Sequence, residues 1–195
     1  MLVMPSGCCE IPMERNCRGG WSVIPPLAIT AWTVQHVTPS GVPLMHIAHD
    51  DLLSDILGLL AGEHDPIANA ANTAAAIWQH MDRINWAGFY FRQGETLVLG
   101  PFQGKPACVR IAMGQGVCGT AAVRRETILV EDVHAFPGHI ACDAASNAEI
   151  VVPLMRDGVV IGVLDIDSPE IARFGPEEQA LCERIAAAYV ASLTG

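Results

Sequence analysis

The pair Asp157-Gly158 is the feature that most narrows the folds open to this chain. It separates two largely apolar runs, residues 149–156 and 159–167. An Asp-Gly pair favours the tight two-residue turn of an antiparallel hairpin, in which both turn residues need a positive φ. The sequence therefore predicts two adjacent antiparallel strands near its carboxyl end.

Further strands and helices are indicated upstream and downstream of this hairpin. Asp50 or Asp51 can cap a first helix that stops near Gly62, and Asp65-Pro66 opens a second helix that runs to about His80. Strands are predicted over 84–92, 96–102, 107–111 and 127–131, a short helix over 116–125, and a closing helix over 175–193. The pattern indicates an α+β fold: a mainly antiparallel sheet with two N-terminal helices and a C-terminal helix covering one face.

The first part of the chain does not share this pattern. Residues 1–45 contain several prolines and show neither helical nor strand periodicity, so they are predicted to lie outside the domain. They are interpreted as a flexible arm or as a translated upstream region that precedes a start at Met45. The domain itself is assigned to residues 46–195, and the extension is expected to be dispensable for folding and activity.

Composition limits the classes of protein that remain. A chain of 195 residues with 51% apolar residues can form one domain with a full core. Its net charge of −10 argues against nucleic acid or an anionic membrane as a partner. Seven cysteines without a CxxC pair suggest a reducing compartment, hence the cytoplasm. No run reaches the roughly 18 apolar residues of a membrane helix.

Three cysteines point to thiol chemistry. Cys142 stands among small residues after Pro137-Gly138, which predicts a loop that makes its thiol accessible. Cys108 and Cys118 lie upstream in glycine-containing segments. A buried cysteine is by itself more often an inert apolar residue, and Cys182 in the closing helix is interpreted that way.

Acidic residues form a second candidate group. Strand alternation places Asp165 and Asp167 on one face, with Leu164 and Ile166 on the other. Together with Glu149, such acids should raise one another's pKa or bind a cation. The alternatives are a solvated strand end or a salt bridge to Arg156 or Arg173.

Aromatic and histidine residues complete the candidates. Trp86 and Tyr90 lie four positions apart on a predicted strand and so share a face, as an apolar binding wall or as ordinary core. A zinc site remains the less favoured alternative because structural zinc sites usually have closer ligand pairs, and no metal is expected. Its ligands would be His134, His139, Cys142 and Asp143. A histidine near Cys142 is better explained as shaping the loop or lowering the thiol pKa.

Five motifs occur in one order along the chain. They are Asn85–Tyr90, Leu99–Cys108, Gly116–Ala121, Asp132–Glu149 and Gly162–Ser168. Together they resemble the free methionine-(R)-sulfoxide reductases, a stand-alone branch of the GAF-domain fold, over residues 46–194. Ala112 and Ala148 are small departures that remove no functional group.

The resemblance implies reduction of free L-methionine-(R)-sulfoxide through a cysteine sulfenic acid and an intramolecular disulfide. It implies Cys142 as the nucleophile, Cys108 as the resolving cysteine and an auxiliary role for Cys118. It also implies that Glu149, Asp165 and Asp167 hold the substrate ammonium and act on the sulfoxide oxygen, with no bound cofactor. An external thiol reductant, by expectation thioredoxin-like, would reset the enzyme, and a homodimer is a family-level expectation. The alternatives are a non-catalytic GAF module that binds a small ligand and a thiol redox sensor.

Overall fold

The computed structural model describes residues 44–140 and 143–194, with side chains from residue 49 onward. The predicted extension over 1–45 therefore lies outside the described residues except for its last two positions. The described elements are α1 (Leu44–Leu60), α2 (Pro66–His80), β1 (Trp86–Gln93), β2 (Thr96–Gly104), β3 (Arg110–Ala112), α3 (Gly116–Arg124), β4 (Ile128–Val130), β5 (Ala148–Arg156), β6 (Val159–Ser168) and α4 (Pro176–Ser192). A single 3-10 turn, Val133–Ala135, lies between β4 and β5 among them.

The strands form one antiparallel sheet in the order β3-β2-β1-β6-β5-β4. The hairpin predicted at Asp157-Gly158 is confirmed, since β5 and β6 pair up to Arg156 and Val159. Asp157 and Gly158 have φ values of 51° and 74°, as this tight turn requires. The longest strand, β6, thus lies between β1 and β5 in the interior of the sheet.

Two apolar cores lie on opposite faces of the sheet. Side chains from α1, α2 and α4 pack against one face, where they meet Leu164 and Ile166 of β6. Helix α3 packs against the other face, with Tyr90 and Val163. The predicted α+β architecture is therefore confirmed. The sequence pattern did not predict that α3 would cover the second face of the sheet.

Helix ends follow the predicted local chemistry in α2 and α4. The Asp65 carboxylate accepts hydrogen bonds from the backbone N–H groups of Ile67 and Ala68 at 2.9 and 2.8 Å. At the start of α4, the Glu178 side chain accepts the N–H of Gly175 at 3.0 Å. None of the described helices is both long enough and apolar enough to cross a membrane.

Two predicted boundaries were wrong. Helix α1 begins at Leu44, so Asp50 and Asp51 lie inside it rather than cap it. Pro43 is the last helix-breaking residue before that point, and no glycine or proline follows until Gly58. Only Arg110 and Ile111 of the predicted strand over 107–111 lie in β3, which extends to Ala112. The Cys108 carbonyl instead accepts the Tyr90 hydroxyl at 3.0 Å.

Gly88 lets the Trp86 ring lie flat along the sheet, which gives the first testable prediction. A Cβ at this position would lie 2.7 Å from Cη2 of Trp86 and would also collide with Phe102. We expect Gly88→Ala to lower the free energy of unfolding by about 1–3 kcal/mol, as overpacking does. Urea denaturation measures the change.

The matched control is Gly58→Ala, because a Cβ there meets nothing within 4 Å and the site lies within α1. It should raise the free energy of unfolding by about 0.5–1 kcal/mol. Equal changes in the free energy of unfolding for the two substitutions would show that close packing against Trp86 does not require glycine at position 88.

Candidate active site

A cavity opens on the α3 face of the sheet, beside the strands β1, β5 and β6. It is bounded by side chains of these strands, by the start of α3 and by the loops that follow β2 and precede β5. The lining residues are Trp86, Tyr90, Lys105, Pro106, Ala107, Ile111, Gln115, Gly116, Val117, Cys118, His139, Ile140, Asp143, Ser146, Glu149, Asp165 and Asp167.

Three carboxyl groups form one wall of this cavity. Glu149 on β5 pairs in register with Asp167 on β6, and Asp167 pairs with Trp86 on β1. Asp165 lies two positions along β6, on the same face, as strand alternation predicted. Glu149 and Asp165 are each only 6% exposed, so the interpretation of a solvated strand end was wrong.

A salt bridge does not account for these acids either. Arg173 donates instead to Glu178, at 2.8 Å. Arg156 is exposed beside the hairpin turn, at the opposite end of β5 from Glu149. Within the described part of the chain, no lysine or arginine forms an ion pair with Glu149, Asp165 or Asp167.

Burial raises the pKa of all three carboxyl groups, and repulsion from neighbouring carboxylates adds to the rise for Glu149 and Asp167. Burial is the larger cause in each case, and the charge of Asp165 adds to the effect on Glu149 and Asp167. The pKa of Asp165 rises only to about 6, because hydrogen bonds from Cys118 and Glu149 offset part of the burial effect. With a pKa of about 6, Asp165 is mostly ionised near neutral pH, whereas burial and neighbouring charges shift Glu149 and Asp167 toward their protonated forms.

Cys118 lies in the first turn of α3 and contacts two of these acids. Its Sγ donates to Oδ2 of Asp165 at 3.2 Å and lies 3.9 Å from Oε1 of Glu149. Burial, followed by the charges of Asp165 and Glu149, raises the pKa of this thiol well above its usual value. Cys118 is therefore a neutral thiol.

Aromatic rings form the wall next to the acids. The rings of Trp86 and Tyr90 stack with centroids 5.8 Å apart, and Phe102 stacks on Trp86 at 5.3 Å. The Trp86 Nε1–H donates to the carbonyl oxygen of Lys105 at 3.2 Å. Trp86 and Tyr90 line the cavity and also belong to the core around α3. The pair is therefore both an apolar cavity wall and part of the core, the two interpretations made from the sequence.

Polar residues at the cavity mouth were not predicted as substrate-binding residues. Lys105 forms an ion pair with Asp143 at 3.2 Å, and the Asn85 amide donates to Ser146 at 3.0 Å. His139 Nε2 lies 3.7 Å from Oε2 of Glu149. Burial lowers the pKa of His139 and raises the pKa of Glu149, so both shifts favour a polar contact between neutral groups over an ion pair. All of these residues except Asn85 and Ser146 are ionisable, and every one lies in a motif already noted.

The structure brings most of the predicted site residues together. Trp86, Tyr90, Cys118, Glu149, Asp165 and Asp167 all line the cavity. Cys108 is half-buried and directly follows the lining residue Ala107. Cys142 lies outside the described residues, although Ile140 and Asp143 on either side of it line the cavity.

The described members of the alternative zinc set have separate partners. His134 Nε2 is 2.9 Å from Oδ1 of Asn147, Asp143 pairs with Lys105, and His139 faces Glu149. Cys182 is fully buried in α4, and burial raises its pKa to about 12, which agrees with an inert apolar role.

Comparisons with known proteins place this site in a family. Residues 65–193 match the GAF domain family model. The chain is 56% identical over 137 residues to the free methionine-R-sulfoxide reductase of Escherichia coli, covering 70% of this chain and 83% of the relative.

Two solved structures agree. The free methionine-R-sulfoxide reductase from Neisseria meningitidis, in complex with its substrate, has 40% identity and a TM-score of 0.74, covering 81% of this chain and 93% of the other. The reduced form of fRMsr of Staphylococcus aureus has 46% identity and a TM-score of 0.73, covering 75% and 95%. The fold is thus that of a GAF domain. The chain belongs to the free methionine-R-sulfoxide reductase family, as its motifs predicted.

Proposed function

We propose that this chain reduces free L-methionine-(R)-sulfoxide to L-methionine with electrons from an external thiol. The observation that carries the proposal is the cavity wall of Glu149, Asp165 and Asp167 beside the Trp86–Tyr90 pair. One cavity thereby offers an anion, proton donors and an apolar surface. A methionine sulfoxide presents the complementary groups: an ammonium, a sulfoxide oxygen and a methyl thioether end.

The three acids are proposed to have different roles that depend on their protonation. The raised pKa of Glu149 and of Asp167 favours their protonated forms, which can donate a proton to the sulfoxide oxygen. Asp165, as the ionised member, supplies the negative charge that the substrate ammonium requires. Because a residue within a polypeptide has no α-ammonium, this arrangement favours the free amino acid. Backbone N–H groups near the cavity are the proposed partners of the α-carboxylate.

The proposed cysteine cycle starts at Cys142. Its thiolate attacks the sulfoxide sulfur, the oxygen is transferred to the cysteine as a sulfenic acid, and methionine leaves. The Cys108 thiol then condenses with the sulfenic acid to a disulfide and releases water. An external dithiol reduces that disulfide by exchange. Support comes from the described thiols: Cys118 and Cys182 are buried with raised pKa values, whereas Cys108 is half-buried beside the cavity.

The reductant and the setting are proposals of the same kind. A thioredoxin-like protein is the proposed electron donor, with no bound cofactor, and the cytoplasm the proposed location. The absence of a CxxC pair supports the assignment to a reducing compartment. A homodimer is the proposed assembly on the strength of the family pattern alone.

The test is incubation of the purified full-length protein with each free methionine sulfoxide epimer and dithiothreitol. We expect methionine from the R epimer and little from the S epimer or from a peptide containing methionine sulfoxide. One turnover without reductant should leave a Cys108–Cys142 disulfide in a peptide map, which requires Cα atoms within about 7 Å. A Cys118–Cys142 bridge instead would reassign the resolving role to Cys118.

The same assay separates the two alternative functions. A non-catalytic GAF module would bind a ligand without forming methionine. A redox sensor would acquire the disulfide from peroxide but would not turn over the sulfoxide. Catalytic methionine formation, with more than one equivalent per protein, contradicts both.

A further inference from the structure

We propose that Cys118, Glu149 and Asp165 form a site for a zinc-like divalent cation, which enters the cavity in place of substrate. These three side chains are all buried, and one ligand atom from each lies within 4.8 Å of the other two. None of the three belongs to the zinc set considered from the sequence. The cation is an inhibitor here, not a cofactor of the proposed reaction.

The distances fit tetrahedral coordination. Zinc binds sulfur at about 2.3 Å and carboxylate oxygen at about 2.1 Å, which places tetrahedral sulfur and oxygen ligands about 3.6 Å apart. The Cys118 Sγ distances of 3.2 Å to Asp165 Oδ2 and 3.9 Å to Glu149 Oε1 lie on either side of this value. Small side-chain rotations would therefore suffice to form the site.

A buried oxygen without a partner provides independent support. Oδ1 of Asp165 has no hydrogen-bond partner in the described structure, although the residue is only 6% exposed and lines the cavity. A buried carboxylate oxygen normally has a partner, and leaving it without one costs about 1–3 kcal/mol. A cation that binds this carboxylate would remove that cost.

The ligand types select the class of cation. A thiolate with two carboxylates suits a borderline or soft ion such as Zn²⁺ or Cd²⁺. Mg²⁺ and Ca²⁺ prefer six or more oxygen ligands, and a sulfur atom is a poor substitute. His139 Nε2, 3.7 Å from Oε2 of Glu149, or a water molecule can take the fourth position.

Binding exchanges protons for a metal ion. The S–H bond of Cys118 and the O–H bond of protonated Glu149 break, sulfur–metal and oxygen–metal bonds form, and both protons pass to solvent without oxidation. The bound cation then occupies Asp165 and Glu149, which the proposed function assigns to the substrate ammonium and the sulfoxide oxygen. Inhibition therefore rests on the proposed function, whereas cation binding does not.

The experiment titrates the reduced full-length protein with Cd²⁺ and follows the ultraviolet charge-transfer band of the thiolate–metal bond. Other cysteines, including those near the N-terminus, add to this band, so the signal is the difference between the parent protein and its Cys118→Ala variant. We expect one equivalent of Cd²⁺ to give a Cys118-dependent band that excess free methionine removes. Glu149→Gln and Asp165→Asn should weaken Cd²⁺ binding at that site at least about tenfold.

The matched controls are Cys182→Ala, a buried cysteine in α4, and Glu126→Gln, an exposed acid, and both should retain the band. Cys118→Ser is measured as well, so that a folding defect of the alanine variant does not decide the result. A band that survives in both Cys118 variants, or that methionine leaves unchanged, overturns the inference. That failure is distinct from failure of the proposed function, because methionine formation is measured separately in metal-free buffer.

Discussion

Replacing Cys142 by serine is expected to lower methionine formation by on the order of 10³-fold or more. A serine hydroxyl is almost fully protonated at neutral pH, and oxygen is a far poorer nucleophile than a thiolate toward sulfoxide sulfur. The described neighbours Ile140 and Asp143 line the cavity, which supports attack from this segment. The measurement is the initial rate of methionine formation from the free R epimer.

Cys182→Ala is the control for this substitution, because Cys182 is buried in the α4 core and remote from the cavity lining. It should leave the rate within roughly tenfold of the parent while lowering stability modestly. A comparable rate for Cys142→Ser would move the nucleophile to Cys108, since the raised pKa of Cys118 disfavours its thiolate.

Local chemistry made most of the fold predictable. The Asp157-Gly158 turn, the Asp65 cap and the alternation of β6 each depend on neighbouring residues, and all three were confirmed. The start of α1 was misplaced because two acids at positions 50 and 51 imitate a cap within a helix that had already begun. The face occupied by α3 depends on packing between distant segments, which periodicity does not determine.

The sequence predicted which residues belong to the candidate site better than it predicted how those residues are arranged. Asp165 and Asp167 share a face by alternation alone, but their proximity to Glu149 depends on the β5–β6 register. The contact between Cys118 and Asp165 joins a helix to a strand across the sheet surface, and no spacing in the sequence indicates it. The resemblance to a family identified the residues, and the structure showed the burial that raises the pKa of the three acids.

Amide substitution of Glu149 or Asp167, the two acids shifted toward the protonated form, is expected to lower activity and to raise stability. Glu149→Gln and Asp167→Asn keep the shape of the side chain but remove the transferable proton, and kcat/KM should fall by about 10²–10⁴-fold. Asp165→Asn removes the anion instead, so it should raise KM more than it lowers kcat. Initial rates across substrate concentration and pH distinguish the two patterns.

The pH dependence follows from the direction of the pKa shifts. In the parent enzyme, activity should decline at high pH as Glu149 and Asp167 lose their protons, and the decline should begin above the ordinary carboxylic range near about 4. An amide variant has no proton to lose at that position. Its residual activity should therefore lack the corresponding part of the decline.

The same two substitutions should raise stability near neutral pH, which is opposite to their effect on activity. A carboxyl group whose pKa is higher in the folded state binds more protons there than in the unfolded chain, so the folded state loses stability as the pH rises above about 4 toward the folded-state pKa. The Glu149→Gln and Asp167→Asn variants escape this loss, because an amide does not titrate. We expect higher unfolding midpoints than the parent near neutral pH and no such gain below about pH 4.

Glu126→Gln serves as the control, because Glu126 is an exposed surface acid whose pair with Arg124 contributes little. It should change neither the rate nor the midpoint. If the amide variants lose activity and stability together at neutral pH, the acids support the fold rather than the reaction. If they gain stability while the rate falls, the three carboxyl groups are held together against their own repulsion for the chemistry in the cavity.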